Sequence, residues 1–158
     1  MPKDKTPEAF LKDMARDLNG TIKNDRFDLV NIFSRRRGGE PEIGDVIDID
    51  ILGPLNGSVV LVASEPTYFI FQTVDSVKMG THPENGSREF GFERSETGLR
   101  FYTRAVSRPG NYLLGLGGAA PQQEGWTSLM RGISDRINGL GGKSNFNSFW
   151  IYKDPRPN

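Results

Sequence analysis

His82 is the one side chain in this sequence whose ordinary pKa lies near neutrality, and Glu84 follows it by two residues. An imidazole and a carboxyl facing one cavity form an acid/base pair, so His82 with Glu84 is the candidate for proton transfer. Arg108, just ahead of Pro109, is the candidate for holding a substrate's charge. The same histidine has a plainer reading, because a His-Pro turn commonly ties a ring nitrogen to a nearby backbone carbonyl. Arg88, Arg100 and Arg104 fall on neighbouring strand-like runs. A guanidinium fork there can hold a carboxylate or phosphate, or pair across strands with Glu89 and Glu93. Asp48 and Asp50 share a strand face, yet one His and no Cys do not assemble a first-row metal site, and alternating aspartates read as solvated. No metal is expected. Arg35-Arg36-Arg37 reads as a solvated linker in a glycine-containing loop rather than a phosphate clamp. Gly115-Leu116-Gly117-Gly118 lacks a following Lys-Ser/Thr pair and a preceding parallel strand, so no cofactor is expected.

The elements that must position these residues are legible from periodicity. Thr6-Pro7 is an N-cap and first-turn pair, and Phe10, Leu11, Met14, Ala15 and Leu18 fall on one helical face before Asn19-Gly20 stops the helix. Phe27 to Phe33 is rich in β-formers, and Ser34 to Gly44 follows as a polar loop. From Asp45 the period becomes two, with Ile47, Ile49 and Ile51 on one side of a strand and Asp48 and Asp50 on the other. Gly53-Pro54-Leu55-Asn56-Gly57 turns the chain. Strands follow at Ser58 to Ala63, Thr67 to Val74, Arg88 to Glu93 and Leu99 to Ala105, the last two meeting at Glu96-Thr97-Gly98. Short connections predict an antiparallel meander. Asn111 to Pro121 reads as a glycine-rich loop. Trp126, Leu129, Met130, Ile133 and Ile137 then predict a helix over Gln122–Leu140, roughly 28 Å long at about 1.5 Å per residue. Gly141-Gly142 ends it, and Phe146 to Tyr152 reads as an aromatic strand before a proline-rich tail.

A chain of 158 residues fits a single domain. Residues 1–44 carry the N-terminal helix and a variable lead-in, 45–153 the sheet and long helix, and 154–158 the tail. Lys plus Arg and Asp plus Glu both number 20, so no net field favours nucleic acid. The absence of Cys removes disulfides and thiol nucleophiles. The polar N-terminus and the lack of any run near the ~20 apolar residues that span a bilayer predict a soluble protein without a membrane span. The cytoplasm is the default compartment, with export as an effector the alternative.

A meander closed by one long amphipathic helix is the element order of the START-like helix-grip fold. Gly53-Pro54 with Gly57, the His82-Pro83-Glu84 turn closing on Gly86, Phe90, Phe101, Ala105 and Ser107-Arg108-Pro109 resemble uncharacterised protein family 0548, of the START-like (polyketide cyclase/lipid transport) superfamily. The resemblance covers Gly53 to Pro109, with Thr81 standing between the glycine and the histidine that the family usually joins directly. It implies an α+β fold in which a curved antiparallel sheet wraps a long helix of the C-terminal half, with a cavity between them.

In that fold Phe69, Phe71, Phe90, Phe92, Phe101, Arg104, Trp126 and Met130 are the candidate lining for a small hydrophobic or amphipathic ligand. Two further readings stand beside ligand binding. One is an enzyme or toxin domain using His82, Glu84 and a nearby Arg. The other is an immunity or assembly module recruiting a protein partner through the Arg35–Arg37 loop and the Phe146–Tyr152 strand.

Overall fold

The computed structural model describes residues 1–22, 32–50, 56–109 and 119–146, and the side chains of all of these except 22, 109 and 119–125. The chain opens with α1 (Pro7–Arg16), which starts where the sequence places a cap: Thr6 Oγ1 accepts the Ala9 N–H at 3.1 Å and Pro7 fills the first turn. It buries Phe10, Leu11, Met14 and Ala15 on one face. The helix ends at Asp17, earlier than the Asn19-Gly20 stop, and those two residues sit inside a short second helix, α2 (Leu18–Ile22). Asn19 has another task. Its side-chain amide donates to the Phe33 carbonyl and accepts the Phe33 N–H, both at 2.8 Å, so it pairs with the neighbouring strand as a residue of a sheet would.

Among the described residues six strands follow: β1 (Ile32–Arg35), β2 (Val46–Asp50), β3 (Gly57–Glu65), β4 (Tyr68–Val74), β5 (Glu84–Ser95) and β6 (Gly98–Pro109). They form one antiparallel sheet in chain order, the predicted meander. The strands β5 and β6 run longer than the apolar alternation alone marked, because the two-residue Glu96-Thr97 turn, closed by Gly98 at φ 125°, lets twelve consecutive pairs form from Ser95↔Gly98 to Glu84↔Pro109. The register slips between Leu61 and Ala63 on β3, leaving Val62 as an extra, exposed residue. The last element among the described residues is α3 (Ala119–Gly139), which begins inside the glycine-rich stretch expected to be a loop.

Cross-strand partners fix one inner face. Phe33 lies opposite Ile49, Ile47 opposite Val59, Leu61 opposite Phe71, Phe69 opposite Phe90 and Phe92 opposite Phe101. These residues join Phe10, Leu11, Met14, Ala15 and Leu18 of the first two helices and Leu129, Ile133 and Ile137 of α3 in one core. The two helical regions touch directly: a Cβ at Gly132 of α3 would lie 2.6 Å from the Thr21 carbonyl, and Arg136 donates to Thr21 Oγ1 at 2.8 Å. The N-terminal helix is therefore part of the core rather than an appendage. No helix among the described residues is long and apolar enough to cross a membrane. The predicted turn residues 51–55, most of the Phe27–Phe33 run, the glycine-rich stretch 110–118, the strand expected at Phe146–Tyr152 beyond its first residue, and the tail lie outside the described residues.

Two expectations about charge are corrected. Asp48 is 2% exposed, not solvated. The turn after β4 returns over the outer face and brings Lys78 to 2.9 Å from its carboxylate, while Arg36 forks onto it through Nε and Nη2 and Ser58 Oγ donates at 2.8 Å. The Arg35–Arg37 triplet is not a free linker either. Arg35 lies 2.7 Å from Asp45, Arg36 binds Asp48, and Arg37 lies 2.6 Å from Glu42. Alternation gave Asp48 its outward direction, but the covering turn decided its burial.

Candidate functional site

One end of the inner face gathers the polar residues of the His-Pro-Glu turn. The start of β3, the end of β4, the start of β5 and the end of β6 meet there, as the pairings Ser58↔Val74 and Glu84↔Pro109 show. Gly57 opens β3, and the His82 ring occupies the space its side chain would fill: a Cβ there would lie 2.3 Å from His82 Cδ2. The imidazole Nδ1 sits 2.8 Å from the Glu84 carbonyl oxygen and 3.0 Å from the Glu84 amide nitrogen, donating to one or accepting from the other according to tautomer. The ring is thus tied to the backbone of the turn, the contact the plainer reading foresaw. Beyond it, Thr73 Oγ1 accepts the Gly86 N–H at 2.9 Å and reaches the Gly86 carbonyl at 3.1 Å, continuing the β4–β5 ladder through a side chain.

Glu84, Arg88, Phe90 and Phe92 alternate onto the inner face of β5. Arg88 lies beneath α3, with its guanidinium carbon 3.5 Å from the centre of the Trp126 ring and Nη1 donating to Thr103 Oγ1 at 3.2 Å. Its cross-strand partner is Ala105, which is exposed, so the inner face opens to solvent beside it. Burial shifts all three ionisable groups here away from their charged forms. It lowers the His82 pKa below the ordinary value and raises that of Glu84, with the nearby Arg88 opposing the rise. It lowers Arg88 to about 10, against the attraction of Glu84.

The predicted apolar lining is placed together but mostly filled. Phe69 stacks on Phe90 at 5.1 Å, Phe71 meets both edge-on at 5.2 and 6.2 Å, and Phe92 meets Phe101 at 5.2 Å and Phe10 at 5.8 Å. Phe69, Phe71, Phe90 and Phe92 are buried core, because α1 takes the space over β4 and β5 that the sequence reading left to a ligand. Trp126, 6.1 Å from Phe90, and Met130 remain partly exposed at the roof.

Two predicted arginines are not brought to this site. Arg104 pairs with Glu89 across the ladder and Arg108 with Asn85, and both stand on the outer face, opposite to Arg88 and the phenylalanines. There Arg104 stacks on Tyr102 at 3.9 Å and binds Glu93, which Arg100 also contacts at 3.2 Å. Tyr102 donates to Glu89 and crosses the bare backbone of Gly91, where a Cβ would lie 2.6 Å from its hydroxyl. Desolvation, chiefly, raises the Tyr102 pKa to about 12, and Glu89 adds to the effect. The cationic and aromatic face of β6 thus meets the acidic face of β5, the cross-strand alternative. Arg88 takes the place at the site given to Arg108; it is the arginine whose parity matches Phe90 and Phe92, and that parity was the signal for it.

A hollow of about 130 Å³ lies at the opposite edge of the sheet, lined by residues including Ala15, Leu18, Phe33 and Arg35. Its arginines are already engaged, Arg16 by Glu40 and Arg35 by Asp45, so it lacks the convergent polar groups of the His82 end. Among the described residues, no group of three or more His, Cys, Asp or Glu side chains is placed to hold a metal ion.

Fold and site define an α+β protein in which helices cover one face of an antiparallel meander and ionisable groups gather at one end of that face. No family model, curated protein or solved structure matches the chain.

Proposed function

We propose that the chain is a START-like helix-grip domain, related to uncharacterised protein family 0548, that binds a small amphipathic molecule at the His82 end of the inner face. One observation carries the reading: His82, Glu84 and Arg88 lie half-buried together at the edge of an aromatic face, and burial shifts each away from its charged form. Desolvating three ionisable groups together costs stability, and such clusters mark binding and catalytic sites. The order of helices, six-stranded meander and long helix supports the fold assignment. Because the phenylalanines pack against one another, the apolar part of the ligand lies along Trp126 and Met130 rather than among the rings of Phe69, Phe71 and Phe90.

Calorimetric titration of the whole chain with decanoate and with decanol tests the reading. Saturable binding of at least one, with Kd on the order of micromolar to submillimolar, is the expected result. No heat from either would overturn it.

A second reading, proton-transfer catalysis, is favoured by the directions of two shifts. Burial lowers His82, holding it as a neutral base, and raises Glu84, moving it toward the range in which a carboxyl can act as an acid. His82→Ala that abolishes turnover of a bound compound while keeping its affinity would support this reading; unchanged turnover would remove it.

A further inference from the structure

We propose that Arg88, lying beneath Trp126 and hydrogen-bonded to Thr103, is the anchor for a carboxylate on this ligand. The inference rests on the binding reading above and adds the chemistry of the ligand's head.

Arg88 stands on the apolar face, one alternation before Phe90, where a cation has no packing role that methionine or leucine would not fill better. Buried charges in proteins are paired. Among the described residues, no carboxylate forms an ion pair with Arg88. The neighbouring acids of β5, Glu89 and Glu93, point to the other face and are taken by Tyr102, Arg100 and Arg104. Glu84 acts on Arg88 through its field. Among the described residues its one hydrogen bond, to Thr103, leaves most of the guanidinium's donors over. With its guanidinium carbon 3.5 Å from the centre of the Trp126 ring, Arg88 has one side covered by the indole, a cation–π contact that holds it in place without using its N–H donors as ion-pair partners would. The exposed Ala105 beside it leaves a way in from solvent.

The planar fork of a guanidinium matches the two oxygens of a carboxylate. A single cation suits a single negative charge, and Glu84 on the same face makes a dianion such as a phosphate monoester a poorer match. The head is therefore a carboxylate, with the apolar part of the molecule running along α3 over Trp126 and Met130.

The experiment is calorimetry on the full chain with decanoate, decanol and decyl phosphate at neutral pH, for the parent and for Arg88→Gln, Arg88→Lys and Thr103→Val. The parent is expected to bind decanoate about tenfold more tightly than decanol, as a charge-assisted hydrogen-bonded pair provides. Arg88→Gln should erase that preference and leave decanol affinity in place. Arg88→Lys, which keeps the charge but not the fork, should retain only part of it. Equal affinity for decanoate and decanol in the parent, or an Arg88→Gln loss that falls equally on both, overturns the anchor while the binding reading stands. Tighter binding of decyl phosphate overturns the carboxylate assignment. Failure of every probe to bind overturns both proposals. Urea unfolding checks each variant, and if Arg88→Gln does not fold, Arg88→Lys and Thr103→Val carry the comparison, a preference unchanged in both then overturning the anchor.

Discussion

Gly57 and His82 are far apart in the chain yet occupy one volume: the imidazole fills the place of the missing side chain. Gly57→Ala must therefore push the ring off the strand, at a cost of about 1–3 kcal/mol for overpacking. The ring then regains water, so its depressed pKa should climb back toward the ordinary 6.5. Proton NMR of the single histidine reads both proteins, and an unchanged titration in Gly57→Ala would break the link. The sign of the pH effect follows. Because the folded state holds the His82 pKa below 6.5, the unfolded chain takes up the proton first as pH falls. This contribution to stability is complete above 6.5 and declines as pH drops through the window down to the folded value. Asp48 behaves in the opposite sense to a buried carboxyl without partners. Arg36 is the main cause holding its pKa well below the carboxylate range, and Lys78 and Ser58 help, so its contribution is present above 3.8 and fades as pH falls below that. Asp48→Asn keeps the shape and removes the charge. It should lower stability by about 3 kcal/mol, measured by urea unfolding at neutral pH, and a shift below about 1 kcal/mol would show that the network is not structural.

At the scale of elements, α1 departs most from its expected part. Its apolar spacing marks an amphipathic helix, and the structure seats that helix over β4 and β5, with Phe10 edge-on to Phe92 at 5.8 Å. Phe10 is 1% exposed, so Phe10→Ala opens a cavity in the centre of the core and should cost about 3–5 kcal/mol. A fall in urea midpoint with an unchanged denaturant slope is the expected signature. If midpoint and slope both stay as in the parent, α1 does not belong to the cooperative unit. The strand β5 shows how far alternation reaches. It correctly separates Phe90 and Phe92 from Glu89 and Glu93, and the same parity puts Arg88 inside and, on β6, Arg104 and Arg108 outside. Arg108 adjoins Pro109 at the end of β6, but its parity sets it opposite Asn85 on the outer face.

For the whole molecule, helices from both ends of the described chain close over one face of the sheet. The contacts of Gly132 with Thr21 and of Arg136 with the same threonine lock α3 to α2. The chain after α3 returns to the N-terminus, where a Cβ at Gly142 would lie 2.3 Å from the Met1 carbonyl. The polar end of the inner face is thus held by strands from the middle of the chain and roofed by a helix from its last third. Any ligand admitted there meets Arg88, Thr103 and Trp126 from three different elements, so binding should report on the folded state as a whole.

Local patterns in the chain set each element. Thr6-Pro7 and the spacing of Phe10, Leu11 and Met14 made a helix; alternation and two-residue turns made an antiparallel meander; Trp126, Leu129, Ile133 and Ile137 made the long helix. Periodicity separates the faces of one element, because it reflects how successive side chains are directed. It does not say which other element will cover a face. Only the tertiary structure brought the turn of Lys78 over Asp48, seated α1 among the phenylalanines, pressed His82 onto Gly57 and laid Arg88 under Trp126. Each of these depends on contacts between elements distant in sequence, and it is such contacts that decide whether an outward charge stays in water or is buried against a partner.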